Sequence, residues 1–210
     1  MINVLIADDH AVVRQGLIQI LSGIPDMTVA DEAANGQEVL DKVQTGNYEV
    51  VLLDITMPGR SGFDILKDLK HIQPNLPVLV LSIHSEEQYA LRTLKAGAAG
   101  YLTKESAPEE LVSAIRKVVS GGKYISPGLA EKLAFSLEAA GGRLPHETLS
   151  DREFQVLRLM AAGKTTKEIA GELSLSVKTI STYRSRLLLK LKLNTNAELI
   201  QYAIQNHLFD

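Results

Sequence analysis

Apolar residues fall in two different rhythms along this chain, and the change of rhythm divides it. Up to about residue 120, short continuous apolar runs alternate with stretches whose apolar positions recur every three or four residues. The runs Ile2–Asp8, Thr28–Ala33, Tyr48–Asp54, Pro77–Ser82 and Gly100–Lys104 read as strands of a buried sheet. Val50-Val-Leu-Leu-Asp54 is the plainest: four apolar residues lead into a single carboxylate, and Pro58 and Gly59 close the run. Helical patterns lie between. Val13, Leu17 and Leu21 repeat at four. Asn35 is placed to cap a helix with Glu38 three residues on. Phe63, Leu66 and Lys70 follow a turn at Gly62, and Glu87–Leu94 leads into Ala-Gly-Ala-Ala-Gly. Ser106-Ala-Pro-Glu109 reads as a capping box with proline in the first turn, before a helix that buries Leu111, Ile115 and Val118. Five strand–helix units in series predict an α/β fold, a doubly wound five-stranded parallel sheet with right-handed crossovers.

At Gly121-Gly122 this rhythm is lost. Residues 121–147 hold Gly141-Gly142, Pro145 and one helical piece near Leu129–Leu137, and read as a linker with partial helix. From residue 148 to 210 no strand pattern occurs. Ser150-Asp-Arg-Glu153, with Leu149 and Phe154 as its hydrophobic staple, is a capping box; so are Thr165-Thr-Lys-Glu168 and Thr195-Asn-Ala-Glu198, and Ser176 is a further cap. They predict four short helices near 151–162, 166–173, 177–191 and 196–206, a second, all-α domain. Ser174-Leu-Ser joins the middle two and is short enough for a helix-turn-helix.

Composition narrows the classes. There is no cysteine, so neither a disulfide framework nor thiolate chemistry is in play. The N-terminus meets acids within ten residues and lacks a basic n-region, unlike a signal peptide. No run approaches the ~18 apolar residues of a membrane span, so the expectation is a cytoplasmic protein without membrane contact. The net charge of −3 hides an asymmetry. Residues 1–120 carry 10 basic and 16 acidic side chains, net −6, whereas 149–210 carry 9 and 6, net +3. An acidic front and a mildly basic back suggest two domains with different partners.

In open α/β sheets, ligands bind at the carboxyl ends of strands, so the strand ends are where chemistry is sought. The first strand delivers Asp8 and Asp9, the third Asp54, the fourth Ser82 and the fifth Lys104. Carboxylates crowded on one edge repel each other unless a cation sits among them, and hard oxygen donors suit Mg²⁺. A metal, a lysine and a hydroxyl around one carboxylate make a site for phosphoryl transfer, with Asp54 as nucleophile. Each residue alone has a plainer reading: Asp-Asp after a strand as a helix cap, Lys104 as a solvated side chain, Met57 as packing. Four strand ends carrying the set together favour the site. His10 and His84 lie near this rim without a second ligand at metal spacing, and read as surface or outer residues.

Asp8-Asp9, Asp54 with Met57-Pro58, Ser82, and Tyr101 three residues before Lys104 resemble the receiver domain of two-component response regulators, over about residues 1–120. The resemblance implies a flavodoxin-like domain in which Asp54 accepts a phosphoryl group from a sensor histidine kinase. It implies Mg²⁺ on Asp9, Asp54 and the Thr56 carbonyl, with Asp8 acting largely through water, and Lys104 paired with a phosphoryl oxygen. Ser82 would swing toward the phosphate and let Tyr101 turn inward. Two positions depart from the pattern. Glu105 follows Lys104 where many receivers have proline, which weakens the case for a cis peptide there. Ile83 follows Ser82 where many carry a small residue, which bears on access to the site.

From Ser176 to Lys192 there are five basic residues and no acid. At about 100° per residue, Ile180, Leu187 and Leu191 share one face, opposite Lys178, Ser181, Thr182, Ser185 and Leu189. A basic, hydroxyl-rich face opposite an apolar one suits a recognition helix in the major groove of double-stranded DNA. Thr179, Arg186 and Lys190 lie on a flank where phosphates would be met, and Arg184 falls nearer the apolar side, placed to reach a phosphate or to pair with an acid. On charge alone an amphipathic helix with a solvated face is the better reading; the preceding helix and tight turn shift the balance. Leu149-Ser-Asp-Arg-Glu153, Gly163, Lys167-Glu-Ile-Ala170 and Ser176-Val-Lys-Thr-Ile-Ser-Thr-Tyr183 resemble the LuxR/NarL helix-turn-helix, over about 148–210. In that family the last helix, here near Asn196–Asn206, forms the dimer contact on DNA; Tyr202 on it is interface or core.

The two resemblances together identify the chain as a NarL/FixJ-type response regulator: a phosphorylation-switched transcription regulator, not an enzyme, and a homodimer when phosphorylated. RNA polymerase is a further candidate partner. Three other readings compete. An aspartyl phosphatase of the haloacid-dehalogenase kind needs a second Asp two residues after the first, and that position is Thr56. A dinucleotide oxidoreductase needs G-x-G-x-x-G, and the turn after the first strand is Asp-Asp-His-Ala. A regulator that binds DNA without the switch stays open, although the intact Asp54–Lys104 set speaks against it.

Overall fold

The structure, a computed structural model, describes residues 1–57, 61–83, 86–106, 108–131, 145–206 and 208. The chain divides into two compact units, Met1–Lys132 and Leu133–Asp210. In the first, β1 (Ile2–Ala7), α1 (Ala11–Ser22), β2 (Met27–Ala33), α2 (Gly36–Thr45), β3 (Val50–Asp54), α3 (Gly62–Ile72), β4 (Val78–Ser82), α4 (Glu86–Lys95), β5 (Gly100–Thr103) and α5 (Pro108–Val119) alternate. All strand pairs are parallel, in the order β2-β1-β3-β4-β5. This is the doubly wound sheet that the alternating rhythm predicts.

β3 and β4 are buried along their whole length. That explains their unbroken apolar runs, because both faces of a central parallel strand are covered. Val4, Ile6, Val50, Leu52, Leu79, Leu81 and Leu102 form one cluster with Leu17 and Leu21 of α1 and Leu111, Ile115 and Val118 of α5. The alternate positions Leu5, Val51, Leu53, Val80 and Tyr101 are equally buried, so the other face is closed too. Each such side chain contributes about 1.5–3 kcal/mol by leaving water. On that second side α3 and α4 meet through the stacked rings of Phe63 and Tyr89, centroids 6.0 Å apart. Asn35 caps α2 by accepting from Glu38 N, and Glu38 returns a carboxylate to Ala34 N at 2.8 Å.

Several sequence expectations shift in detail. β5 ends at Thr103, leaving Lys104 just beyond it. Gly62 opens α3 instead of forming a turn before it. A Cβ there would fall 2.3 Å from Ile55 Cα, so only glycine lets α3 begin this close to the loop behind Asp54. The chain after α5 does not leave the sheet at once: Tyr124 N donates to Ala99 O at 2.9 Å and bridges Gly100 in parallel. Helix resumes over 127–131. The remainder of the helical piece expected near 129–137, the Gly141-Gly142 pair, Pro58, Gly59 and His84 lie outside the described residues. So does residue 107, inside the expected capping box of α5; Ser106 Oγ lies 3.3 Å from Thr103 Oγ1.

Among its described residues the second unit has a 3₁₀ turn (Pro145–Thr148) and the helices α6 (Asp151–Ala161), α7 (Thr166–Glu172), α8 (Val177–Leu191) and α9 (Asn196–Gln205). All three expected capping boxes are present, and Ser176 accepts from Thr179 N. Three helices stop on left-handed residues: Gly163 (φ 82), Ser174 (φ 53) and Lys192 (φ 57). In each case the chain turns back to bond a carbonyl of the last turn, as Lys164 N does to Leu159 O at 3.0 Å. Leu149 and Phe154, the expected staple, are both buried. Among the described residues no helix is long and apolar enough to cross a membrane.

Candidate functional site

Strand register assembles the rim. Ala7 pairs with Leu53, and Asp54 with Leu81, so Asp8 leaves β1 level with Asp54 and Ser82 lies one step further along β4. Ser82 pairs with Thr103, and Lys104 N donates to Ser82 O at 2.8 Å. Lys104 Nζ then lies 2.7 Å from Asp54 Oδ2 and 2.5 Å from Asp8 Oδ2. Asp54 Oδ1 accepts from Thr56 N at 2.7 Å and from Thr56 Oγ1 at 2.6 Å. Both carboxylates are about 1% exposed, and buried charge of this kind persists only when paired. Burial pushes the Lys104 ammonium down, but the bonds and charges of Asp54 and then Asp8 outweigh it and hold it above the usual lysine range. Lys104 is therefore a cation at neutral pH.

Asp8 Oδ2 and Asp9 Oδ1 are buried, and their near neighbours are cationic or basic groups: the Lys104 ammonium at 2.5 Å from Asp8 Oδ2, and His10 Nδ1 at 3.1 Å from Asp9 Oδ1. Ligand atoms of Asp8, Asp9, His10 and Asp54 all lie within 4.8 Å of one another. Carboxylate oxygens crowded this closely fit a hard divalent cation, so this acidic cluster can hold a metal ion. His10, read from sequence as an outer residue, stands at the edge of the cluster with its ring 63% exposed, and its backbone N–H holds Asp8 Oδ1 at 2.8 Å. Arg14 went unremarked in the sequence because an i+6 spacing carries no signature. Its guanidinium donates to Asp8 O at 2.7 Å and pairs with Glu32 at 3.0 Å.

Ser82 and Tyr101 are fully buried, and Tyr101 is the largest wholly enclosed side chain of its unit. Met57 is buried, as a packing residue would be. Ile83 is 67% exposed at the end of β4. Among the described residues no peptide is cis.

In the second unit α8 has the division of faces that the periodicity predicts. Ile180, Leu187 and Leu191 are buried, and Lys178, Ser181, Thr182, Ser185, Arg186 and Leu189 are exposed. The hydroxyls of Ser181, Thr182 and Ser185 donate to the carbonyls of Val177, Lys178 and Ser181 at 3.0–3.1 Å. Their lone pairs are left outward as acceptors. Thr179 is half-buried, with its hydroxyl 2.8 Å from Ser176 Oγ, within the cap. Two basic residues have partners within the unit that the periodicity does not name. Arg184 donates from Nε to Asn196 Oδ1 of α9 at 2.5 Å. Lys190 Nζ bonds buried Glu153 Oε2 at 2.6 Å. Tyr202, left between core and interface, is half-buried with its hydroxyl 2.9 Å from His146 Nδ1.

A lysine-bridged carboxylate pair on a parallel sheet, followed by a helix-turn-helix with an exposed basic helix, defines a signal-receiving regulator with a DNA-binding half. Comparison with known proteins agrees. The response regulator receiver domain family matches residues 4–116, and the luxR family of bacterial regulatory proteins matches residues 147–203. Response regulator UvrY of Escherichia coli K12 is 38% identical over 209 residues, 99% of this chain and 96% of that protein. Response regulator GacA of Pseudomonas aeruginosa is 37% identical over 211 residues, 100% and 99% of the two chains. Among solved structures, RcsB of Salmonella enterica serovar Typhimurium, bound to promoter rprA in the presence of the phosphomimetic BeF3⁻, superposes with a TM-score of 0.67 at 27% identity, covering 96% of this chain and 97% of that one. The chain belongs to the two-component response regulators with a receiver domain and a LuxR-type DNA-binding domain, and acts in two-component regulation of transcription.

Proposed function

We propose that Asp54 is the phosphoacceptor, taking its phosphoryl group from a sensor histidine kinase, and that its phosphorylation controls sequence-specific binding of double-stranded DNA through α8. The observation that carries this reading is Lys104 held between two buried carboxylates, 2.7 Å from Asp54 and 2.5 Å from Asp8. A fixed cation there neutralises charge on the phosphoryl oxygens as transfer proceeds. An Asp54 oxygen forms the new bond to phosphorus while the phosphorus–nitrogen bond of the donor phosphohistidine breaks. The electron pair leaves with the imidazole, which takes a proton from solvent. Thr56 orients the carboxylate with its two hydrogen bonds to Oδ1. Mg²⁺, with Asp9, Asp54 and the Thr56 carbonyl as ligands and Asp8 acting through water, would supply further neutralisation. Ser82 meets the transferred phosphoryl group, and Tyr101 takes the inner position behind it.

On this reading residues 1–120 are the receiver, 121–147 the linker and 148–210 the DNA-binding domain. Lys178, Ser181, Thr182 and Ser185 present the groove-reading face, with Thr179 and Arg186 on the phosphate flank. The phosphorylated protein acts as a homodimer in the cytoplasm, with RNA polymerase as a further contact. Incubation with a radiolabelled small phosphodonor and Mg²⁺ labels the wild type and leaves Asp54→Ala and Asp54→Asn unlabelled. Label on Asp54→Ala at the wild-type level overturns the assignment.

A further inference from the structure

We infer that Lys190 is a positioning residue that sets the rotational register of α8 through buried Glu153, and is not a phosphate contact. The inference rests on α8 being the recognition helix. Glu153 occupies the third position of α6, where its carboxylate accepts from Ser150 N at 2.7 Å and completes the capping box. Its side chain is only 3% exposed. A capping carboxylate is ordinarily solvated; one this enclosed needs a counter-charge. Lys190 supplies it at 2.6 Å, on the same Oε2 that caps the helix. Burial pushes the Glu153 carboxyl up, but the bonds from Lys190 and Ser150 outweigh it and hold it below the usual glutamate range. The pair also joins the positive end of α6 to the last turn of α8, where a cation is favoured.

The placement has a consequence for reading DNA. Ile180, Leu187 and Leu191 hold α8 by apolar packing. The bond from its last turn to a buried, capped carboxylate adds a directional constraint on rotation. Arg184 braces the other flank through Asn196. The side chains of Lys178 and Arg186, by contrast, make no hydrogen bond or ion pair among the described residues. Among the basic residues of this helix, Lys190 keeps its side chain 40% exposed while its ammonium is engaged by buried Glu153, and that engagement fixes which way Ser181, Thr182 and Ser185 point.

The test uses the full chain with two fluorescent duplexes, one recovered by the wild type from a random-sequence pool and one of mixed sequence. Lys190→Met is expected to lose about tenfold on the selected duplex, the scale of coupling between bonded neighbours. It should lose little on the mixed duplex and keep the wild-type slope of affinity against salt. Glu153→Gln/Lys190→Met, in which glutamine still serves the capping box, is expected to recover most of that loss. A slope shallower by about one with equal losses on both duplexes would mark a phosphate contact and overturn the proposal. So would a double variant no better than Lys190→Met alone. If Lys190→Met does not fold, the double variant decides: wild-type slope supports the positioning role, and a slope reduced by about one overturns it. Lys178→Met is the control for the underlying reading. If it leaves the slope unchanged, α8 is not the DNA-contacting helix, and the Glu153–Lys190 coupling is then read from thermal unfolding of the four variants: coupling supports the clamp, and none overturns it.

Discussion

The acidic rim and the basic helix both depend on charge, and they handle it in opposite ways. At the rim Asp8, Asp54 and Lys104 are withdrawn from water and locked onto one another. On α8 Lys178 and Arg186 stand in solvent, while Lys190, itself exposed, pairs with buried Glu153. Under the proposed function the difference follows from the tasks. Transfer of a phosphoryl group gains from fixed charges in a poorly screened place, where they need not reorganise. Recognition of a polyanion gains from mobile, hydrated cations that release counterions on contact. Burial therefore marks the chemical site, and exposure marks the binding face.

The largest effect that tests this contrast is expected for Lys104→Met. It leaves two buried carboxylates facing each other and should destabilise the receiver by about 3 kcal/mol in urea unfolding with chelator present. Loss of the charge stabilisation should slow phosphoryl uptake on the order of 100-fold. A variant as stable as the wild type without divalent cation would show that the rim is less dry than its geometry implies. Lys178→Met is expected to cost about 1 kcal/mol or more in DNA binding and to flatten the salt dependence by about one contact, with no change in melting temperature. A lowered melting temperature would place Lys178 with Lys190, among the paired cations.

The pH response of the second unit sharpens the exception on α8. Because Lys190 and Ser150 hold Glu153 below its usual range against the pull of burial, the ionised form is bound more tightly in the folded state. The stability it contributes is present above the unfolded pKa and is lost as pH falls through the depressed folded value. Thermal unfolding between pH 7 and 3 should show the wild type losing more than Glu153→Gln does. Parallel curves would mean that the carboxylate is not coupled to folding. The smallest effect is on the turn between α7 and α8. Ser174 holds a left-handed backbone at φ 53, and Ser174→Gly should stabilise the unit by up to about 1 kcal/mol. A loss of stability instead would assign the serine side chain a role that outweighs its backbone cost.

Much of the molecule is legible in its sequence. Unbroken apolar runs announced β3 and β4 because central parallel strands have no wet face. Capping boxes announced α6, α7 and α9 because side chains within three residues of each other complete them. Details that depend on distant partners were not legible. Nothing local marks Arg14 as a brace for Asp8, or Gly62 as the residue that lets α3 approach Ile55. The 100° rule placed Lys190 and Arg184 correctly around α8, yet it could not say that Glu153 and Asn196 would engage them.

The sequence by itself determined the elements, their order, the strand-end residues Asp8, Asp9, Asp54, Ser82 and Lys104, and the division of α8 into an apolar and a basic face. These follow from periodicity and capping, which act over a few residues. Only the tertiary structure decided that Lys104 spans Asp54 and Asp8, and that Lys190, one of the expected DNA-facing lysines, pairs with buried Glu153. Those outcomes depend on strand register and on helix packing between residues at least 37 apart in the chain. Over that range the partner is chosen by burial and charge in three dimensions, and no local pattern records it.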